Sequence, residues 1–461
     1  MSKLARSPGL GLGAVAFCAA IVACSGPSRD GRSTGASRAD TPEAACGSCH
    51  PQHVAEWMTS SHAYAMHDPV FQAMVQLGQR QTDGALGDFC VKCHTPIGTL
   101  EGATRVLRDD AGSYTQRITG LDESAMGGVT CLVCHSITAV NDTFNAGFDL
   151  SLDGIRRGPI MNPAATPAHQ SQYSQLHTDS KLCGTCHDVL NPKNVLLERT
   201  HVEWVQSIFA GSKSCQDCHM PEYQGPAATG HATRTVHQHA FVGVDVSLLA
   251  EGEFPGYDDQ RARTERLLQS SAELAATTVS SEKRLEVSIH NLAGHALPSG
   301  ATADREMWIE LVVRDATSAV AFETGTLDAR GDLRVEDPDR TLSPGTDPAL
   351  VLYAQQMFFD PGHDGGAFLA DGGASQRRRV DFLWEPNSMI ENLIPPGATD
   401  RRSFDLGGLP AGHYSARVRL LFRSFPPHLL RKLEALAGLD PHVKERVPVV
   451  EMASTSVDFD L

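Results

Sequence analysis

Positive charge is scarce in this 461-residue chain: 39 Lys and Arg stand against 55 Asp and Glu, a formal net charge of −16. That balance excludes nucleic acid as a partner, because nothing would offset phosphate repulsion. It suits docking to basic partners, and equally plain solubility. The apolar run at residues 10–23 is too short to span a bilayer. Of twelve cysteines, ten belong to one recurring pattern and only Cys18 and Cys24 remain, so no pair is left for a structural disulfide in the mature chain. Residues 283–461 contain no cysteine. The rest is ordinary for soluble globular protein, 41% hydrophobic and 20% charged, with length enough for two or three domains.

The recurring pattern is Cys-x-x-Cys-His. It appears as Cys46-Gly47-Ser48-Cys49-His50, Cys90-Val91-Lys92-Cys93-His94, Cys131-Leu132-Val133-Cys134-His135, Cys183-Gly184-Thr185-Cys186-His187 and Cys215-Gln216-Asp217-Cys218-His219. Two thiols three residues apart can both add to the vinyl groups on one porphyrin edge, and the histidine that follows reaches the iron. Zinc would draw four ligands from two motifs and leave one of five unpaired. Neither zinc, a redox dithiol nor a disulfide requires a histidine after every second cysteine. Five covalent haem c groups are therefore expected, with His50, His94, His135, His187 and His219 as proximal ligands.

Residues 1–24 read as an export signal: Lys3 and Arg6, then the apolar run, then Ile21-Val22-Ala23-Cys24. That ending resembles the lipobox of bacterial lipoproteins, which implies a lipid anchor on Cys24; the alternative is an ordinary secretory signal. The expected location is an exported, membrane-anchored lipoprotein in the periplasm, at the outer membrane or on the cell surface. Residues 25–41 are a polar, Gly- and Ser-rich tether. Residues 42–245 carry all five motifs, and the macrocycles themselves must form much of the core there. Short helices are expected, one over 51–65, with loops over 98–128 and 141–168. Residues 246–282 form a bridge with a helix over 258–276. From Lys283 the pattern turns to strands: Leu285, Val287 and Ile289 alternate with polar residues, 307–313 is almost wholly apolar, and alternation returns over 414–420. Turn residues cluster at Pro344-Gly345, Pro361-Gly362, Gly372-Gly373 and Pro395-Pro396-Gly397, and one late helix falls near 429–439. The fold class is thus multidomain: a mostly α and irregular pentahaem cytochrome c domain, then an all-β, sandwich-like domain over 283–461.

Fifteen of the twenty histidines are not proximal ligands. Nine lie among the motifs: His53, His62, His67, His169, His177, His201, His231, His237 and His239; His290 and His295 follow. Imidazole on both faces closes an iron for electron transfer, whereas an open face admits substrate. Met66, Met126, Met161 and Met220 are alternative axial ligands.

Glu56-Trp57, Ser61-His62-Ala63 and Asp68-Pro69-Val70-Phe71 follow the first motif, Asp188 to Pro192 and then Glu203-Trp204 follow the fourth, and Met220-Pro221 follows the fifth. With His239-Ala240-Phe241-Val242-Gly243-Val244-Asp245, and with Asn291 to Gly300 before Arg305 and Trp308, they make most of 42–310 resemble the multihaem c-type cytochromes related to cytochrome c-554. The later β-region resembles them loosely, as in Arg423-Ser424-Phe425-Pro426-Pro427. The resemblance implies His62 and His239 as distal ligands, then His177 and His169, with His295 either a ligand or part of a structural turn. His53, His67 and His201 stand where relatives would carry other residues.

Two functional classes follow. In one, the chain carries electrons between redox partners, such as cytochromes or quinol-linked oxidoreductases. In the other, it is an oxidoreductase acting on a nitrogen oxide or other small oxyanion at one open haem. Pentahaem nitrite reductases hold their catalytic haem by Cys-x-x-Cys-Lys, and no such sequence occurs here. The carrier reading, with no catalytic residue, is therefore preferred. A third expectation makes the β-region a docking module or simply a cover over the haems.

Overall fold

The computed structural model describes residues 45–334, 346–361 and 378–461. The expected signal, Cys24, the tether and the turns at Pro344-Gly345 and Gly372-Gly373 lie outside these residues, as does Gly362.

The N-terminal part is built from short pieces. Helices α1 (Pro51–Trp57) and α2 (Ser61–Tyr64) precede α3 (Pro69–Gln81). The expected helix over 51–65 is broken at its Thr-Ser-Ser run. The hydroxyls of Thr59 and Ser60 bond back to the carbonyls of Glu56 and Trp57 and end α1; Ser60 then accepts from the Ala63 N–H and starts α2. Asp68 caps α3 through the Val70 N–H, with Pro69 in its first turn.

Between the helices run five two-stranded ribbons. They pair Val106–Arg108 with Tyr114–Gln116, Ile137–Val140 with Phe148–Leu150, Ile155–Gly158 with Gln170–Tyr173, Asp188–Leu190 with Leu196–Arg199, and Glu222–Pro226 with Thr233–His237. Several fall in the stretches expected to be loops, where turn residues mask strands of three or four residues.

Helix α4 (Tyr257–Gln269) also stops earlier than its helix formers suggest. Ser270 and Ser271 bond back to the carbonyls of Leu267 and Leu268, and a strand starts at once. Strands β1 (Ala272–Val279), β2 (Arg284–Asn291) and β8 (Thr399–Asp405) form an antiparallel sheet in the order β1-β2-β8. The second sheet contains β3 (Glu306–Asp315), β4 (Val320–Thr324), β5 (Val351–Phe359), β6 (Arg378–Val380), β7 (Ser388–Asn392), β9 (His413–Arg423) and β10 (Val450–Asp460). Its path is β6-β5-β3-β9-β10, with β4 also on β3 and β7 also on β5.

The alternation of β2 puts Leu285, Val287 and Ile289 on one face. There they share an apolar cluster with Met307, Ile309, Leu311 and Val313 of β3 and Ala416, Val418 and Leu420 of β9. Two β-sheets thus close over one core. Helix α5 (Pro427–Ala437) returns to the N-terminal part, where Leu429, Leu430 and Leu433 meet Val70, Ala73, Met74 and Leu77 of α3. The described residues accordingly form one compact unit.

Candidate haem-binding sites

Each Cys-x-x-Cys-His segment makes one helical turn. The histidine N–H bonds to the carbonyl of the first cysteine at 2.8 Å for His50, 3.3 Å for His94 and 3.0 Å for His135. His187 and His219 end the helices Lys181–His187 and Cys215–His219. Positions i, i+3 and i+4 share a helix face, so both thiols and the imidazole of a motif face the same way. All ten motif cysteines are free thiols. Among the described residues no group of three or more His, Cys, Asp or Glu is placed to hold a bare metal ion.

The five motif histidines are oriented through Nδ1. His50 meets the Ala227 carbonyl at 2.7 Å, His94 that of Ala65 at 3.2 Å, His135 that of Arg157 at 2.5 Å and His219 that of Val242 at 2.7 Å. His187 meets the Glu198 carboxylate at 3.3 Å. With Nδ1–H donating to these oxygens, Nε2 is the free ligand atom, as metal-bound histidines require. The ribbons position several of these acceptors: Arg157 and Glu198 lie on ribbon strands, and Ala227 directly follows one. Burial holds His94 and His219 below the usual histidine range and brings His135 down to about 4, which favours the neutral imidazole. His187 goes the other way. Burial opposes its charge, but the hydrogen bond and charge of Glu198, with Cys186 and Cys215, raise it to about 9.

Two imidazoles on opposite faces of one metal, each bonded at about 2 Å, have ring centres roughly 6 Å apart. Four motif histidines have such a neighbour. His50 and His169 are 6.4 Å apart, His187 and His62 6.2 Å, His135 and His239 6.4 Å, and His219 and His295 6.3 Å. Burial lowers His62 and His239 to about 3 and His295 to about 4. Nδ1 of His62 is buried without a hydrogen-bond partner, as are Nδ1 of His177 and both ring nitrogens of His201. Helix α2 is pinned where Gly128, at φ 71°, approaches the His62 carbonyl so closely that a Cβ would lie 2.4 Å from it.

Two carboxylates clamp the backbone beside distal candidates. Glu56 accepts the His239 N–H at 2.8 Å, and Glu203 accepts the Ala296 N–H at 3.0 Å and the Ser299 hydroxyl at 2.7 Å.

The remaining histidines stand elsewhere. His177 Nε2 is 3.1 Å from the Cys134 carbonyl and its ring only 5.1 Å from that of His135, short of the two-ligand spacing. His53 lies 6.1 Å from His50 but one turn along the same helix, hence on the same side. His201 is buried against Asp188 and under Gly184, where a Cβ would strike its ring at 2.6 Å. His237 bonds the Met220 carbonyl and faces Glu222, His290 bonds Thr399, and His231 is exposed. His94 is different again. Its ring stacks on Phe71 at 3.9 Å, and among the described residues no other histidine ring lies at the two-ligand spacing. Met66 and Met126 pack in the same apolar cluster as Phe71 and Cys90, while Met161 is 73% exposed.

The motifs also approach one another. Cys46 lies near Cys131, Cys93 near Cys186, and Cys183 near Cys215, with Cys134 close to Cys183 and Cys186. Glu198 and the four carbonyls have no signature in the sequence. Any residue supplies a carbonyl, and a lone glutamate carries no signal.

Residues 45–136 match the family model described as cytochrome c554 and c-prime. No curated protein matches the chain. Among solved structures, a penta-heme cytochrome c552 from Thermochromatium tepidum superposes with a TM-score of 0.60 over 91% of this chain and 99% of that one; at 19% identity the likeness is one of fold. With its Cys-x-x-Cys-His turns and β-rich C-terminal region, the chain is thus similar to the cytochrome c554 and c-prime family over residues 45–136 and to a penta-heme cytochrome in overall fold.

Proposed function

We propose that the protein is an exported electron carrier holding five haems, one on each Cys-x-x-Cys-His turn. Bound haem supplies the one-electron iron couple; the chain orients the imidazoles, sets their protonation and brings the motifs together. The observation that carries this reading is the set of four histidine pairs at 6.2–6.4 Å. On it, His169, His62, His239 and His295 are the distal ligands opposite His50, His187, His135 and His219. His177 is left out, because its Nε2 is taken by a carbonyl. The thiol contacts support a route from the first motif through the third to the fourth, with the second and fifth as branches. The acidic chain suits redox partners with basic docking faces.

His94 favours a second reading at one site. It has no paired histidine among the described residues, so its haem either takes a methionine or keeps an open face for a nitrogen oxide or similar oxyanion. Electron paramagnetic resonance of the oxidised protein, before and after nitrite, with carbon monoxide added to the reduced form, separates the two. Low-spin signals only, with no ligand binding, support the carrier. A high-spin signal that responds to either ligand puts the oxidoreductase first.

Export as a lipoprotein is part of the same proposal and rests on the Ile21-Val22-Ala23-Cys24 ending. Cys24→Ser is expected to abolish palmitate labelling and release the protein from membranes.

A further inference from the structure

The five motif histidines differ in charge at a single contact. Four donate Nδ1–H to neutral backbone carbonyls, whereas His187 faces the carboxylate of Glu198 at 3.3 Å. The contact is built into the fold. Asp188–Leu190 leaves the motif directly after His187 and Leu196–Arg199 returns antiparallel, with Val189 opposite Glu198. The Glu198 side chain is 17% exposed, so its charge is only partly screened. His187 also belongs to the most connected motif, whose cysteines reach those of the second, third and fifth.

An anionic acceptor on Nδ1–H makes the imidazole a stronger electron donor and stabilises oxidised iron, and a nearby negative charge acts in the same direction. We propose that Glu198 is a positioning residue that holds the haem on His187, the junction of the array, at a lower reduction potential than a carbonyl acceptor would give. This rests on the reading that all five motifs hold haem.

The test is Glu198→Gln in the fully haem-loaded protein, followed by redox titration with visible and electron paramagnetic resonance detection. Gln keeps the size and the acceptor and removes the charge. The expected result is that one haem titrates at a higher potential and one low-spin signal changes its g values. Unchanged potentials and signals, with five haems per chain by pyridine haemochrome, overturn the proposal. Fewer than five haems in the wild type overturns the underlying reading, and this proposal with it. Glu198→Asp, which keeps the charge, is expected to titrate close to wild type; an equal rise in both variants assigns the effect to packing and overturns the charge argument.

Discussion

An imidazole chooses its partner by which nitrogen is left free, and that decides the contrast between His239 and His177. His239 turns Nδ1 to the carbonyl of His237 at 2.9 Å and lies opposite His135, while His177 spends Nε2 on the Cys134 carbonyl. His239→Ala, His62→Ala and His295→Ala are each expected to convert one low-spin haem to high-spin in the electron paramagnetic resonance spectrum. His177→Ala is expected to convert none.

Asp304 tests electrostatics away from the haems. Burial raises its carboxyl to about 7 against the pull of Arg305, with Asp245 and Asp381 adding to the rise. The native state therefore holds a proton on this group between roughly pH 4 and 7 that the unfolded chain releases, so its contribution to stability falls as pH rises through that window. Asp304→Asn is expected to be more stable than wild type at pH 8, by about 2–4 kcal/mol at most, with no gain at pH 4, read from melting temperatures at the two pH values.

At the scale of elements, the contact of α5 with α3 joins the two parts of the chain. Leu433 is fully buried there. Leu433→Ala should cost about 2–5 kcal/mol and lower the melting temperature of the whole protein in one transition, followed by circular dichroism and the haem Soret band together. The strands were legible where alternation was strong, as over 285–289, because a pleated strand shows its period directly in the sequence. The ends of α1 and α4 were not. Serine and threonine hydroxyls closed both helices on their own carbonyls, and that local hydrogen bond outweighed the helix formers around it. The ribbons were not legible because strands of three to five residues carry too few positions to show a period.

The molecule as a whole divides its core unevenly. The cluster between the two sheets is extensive and its buried members all lie within residues 268–459, whereas the cluster around the second motif has five buried members. The N-terminal part therefore depends on what its cysteines bind. A chain with the ten motif cysteines replaced by serine is expected to lose its N-terminal part to limited proteolysis while a fragment containing residues 272–461 persists, identified by mass spectrometry.

The sequence by itself determined the attachment chemistry, because two thiols and an imidazole at positions i, i+3 and i+4 share one helical turn and need nothing further along the chain. It also determined the change from motif-bearing segments to strands, since composition and period change together. Only the tertiary structure decided which distant histidine faces which motif, that His295 of the β-region reaches the fifth, and that Glu198 rather than a carbonyl meets His187. Those pairings depend on where loops and ribbons bring residues from far along the chain, and no local pattern encodes that distance.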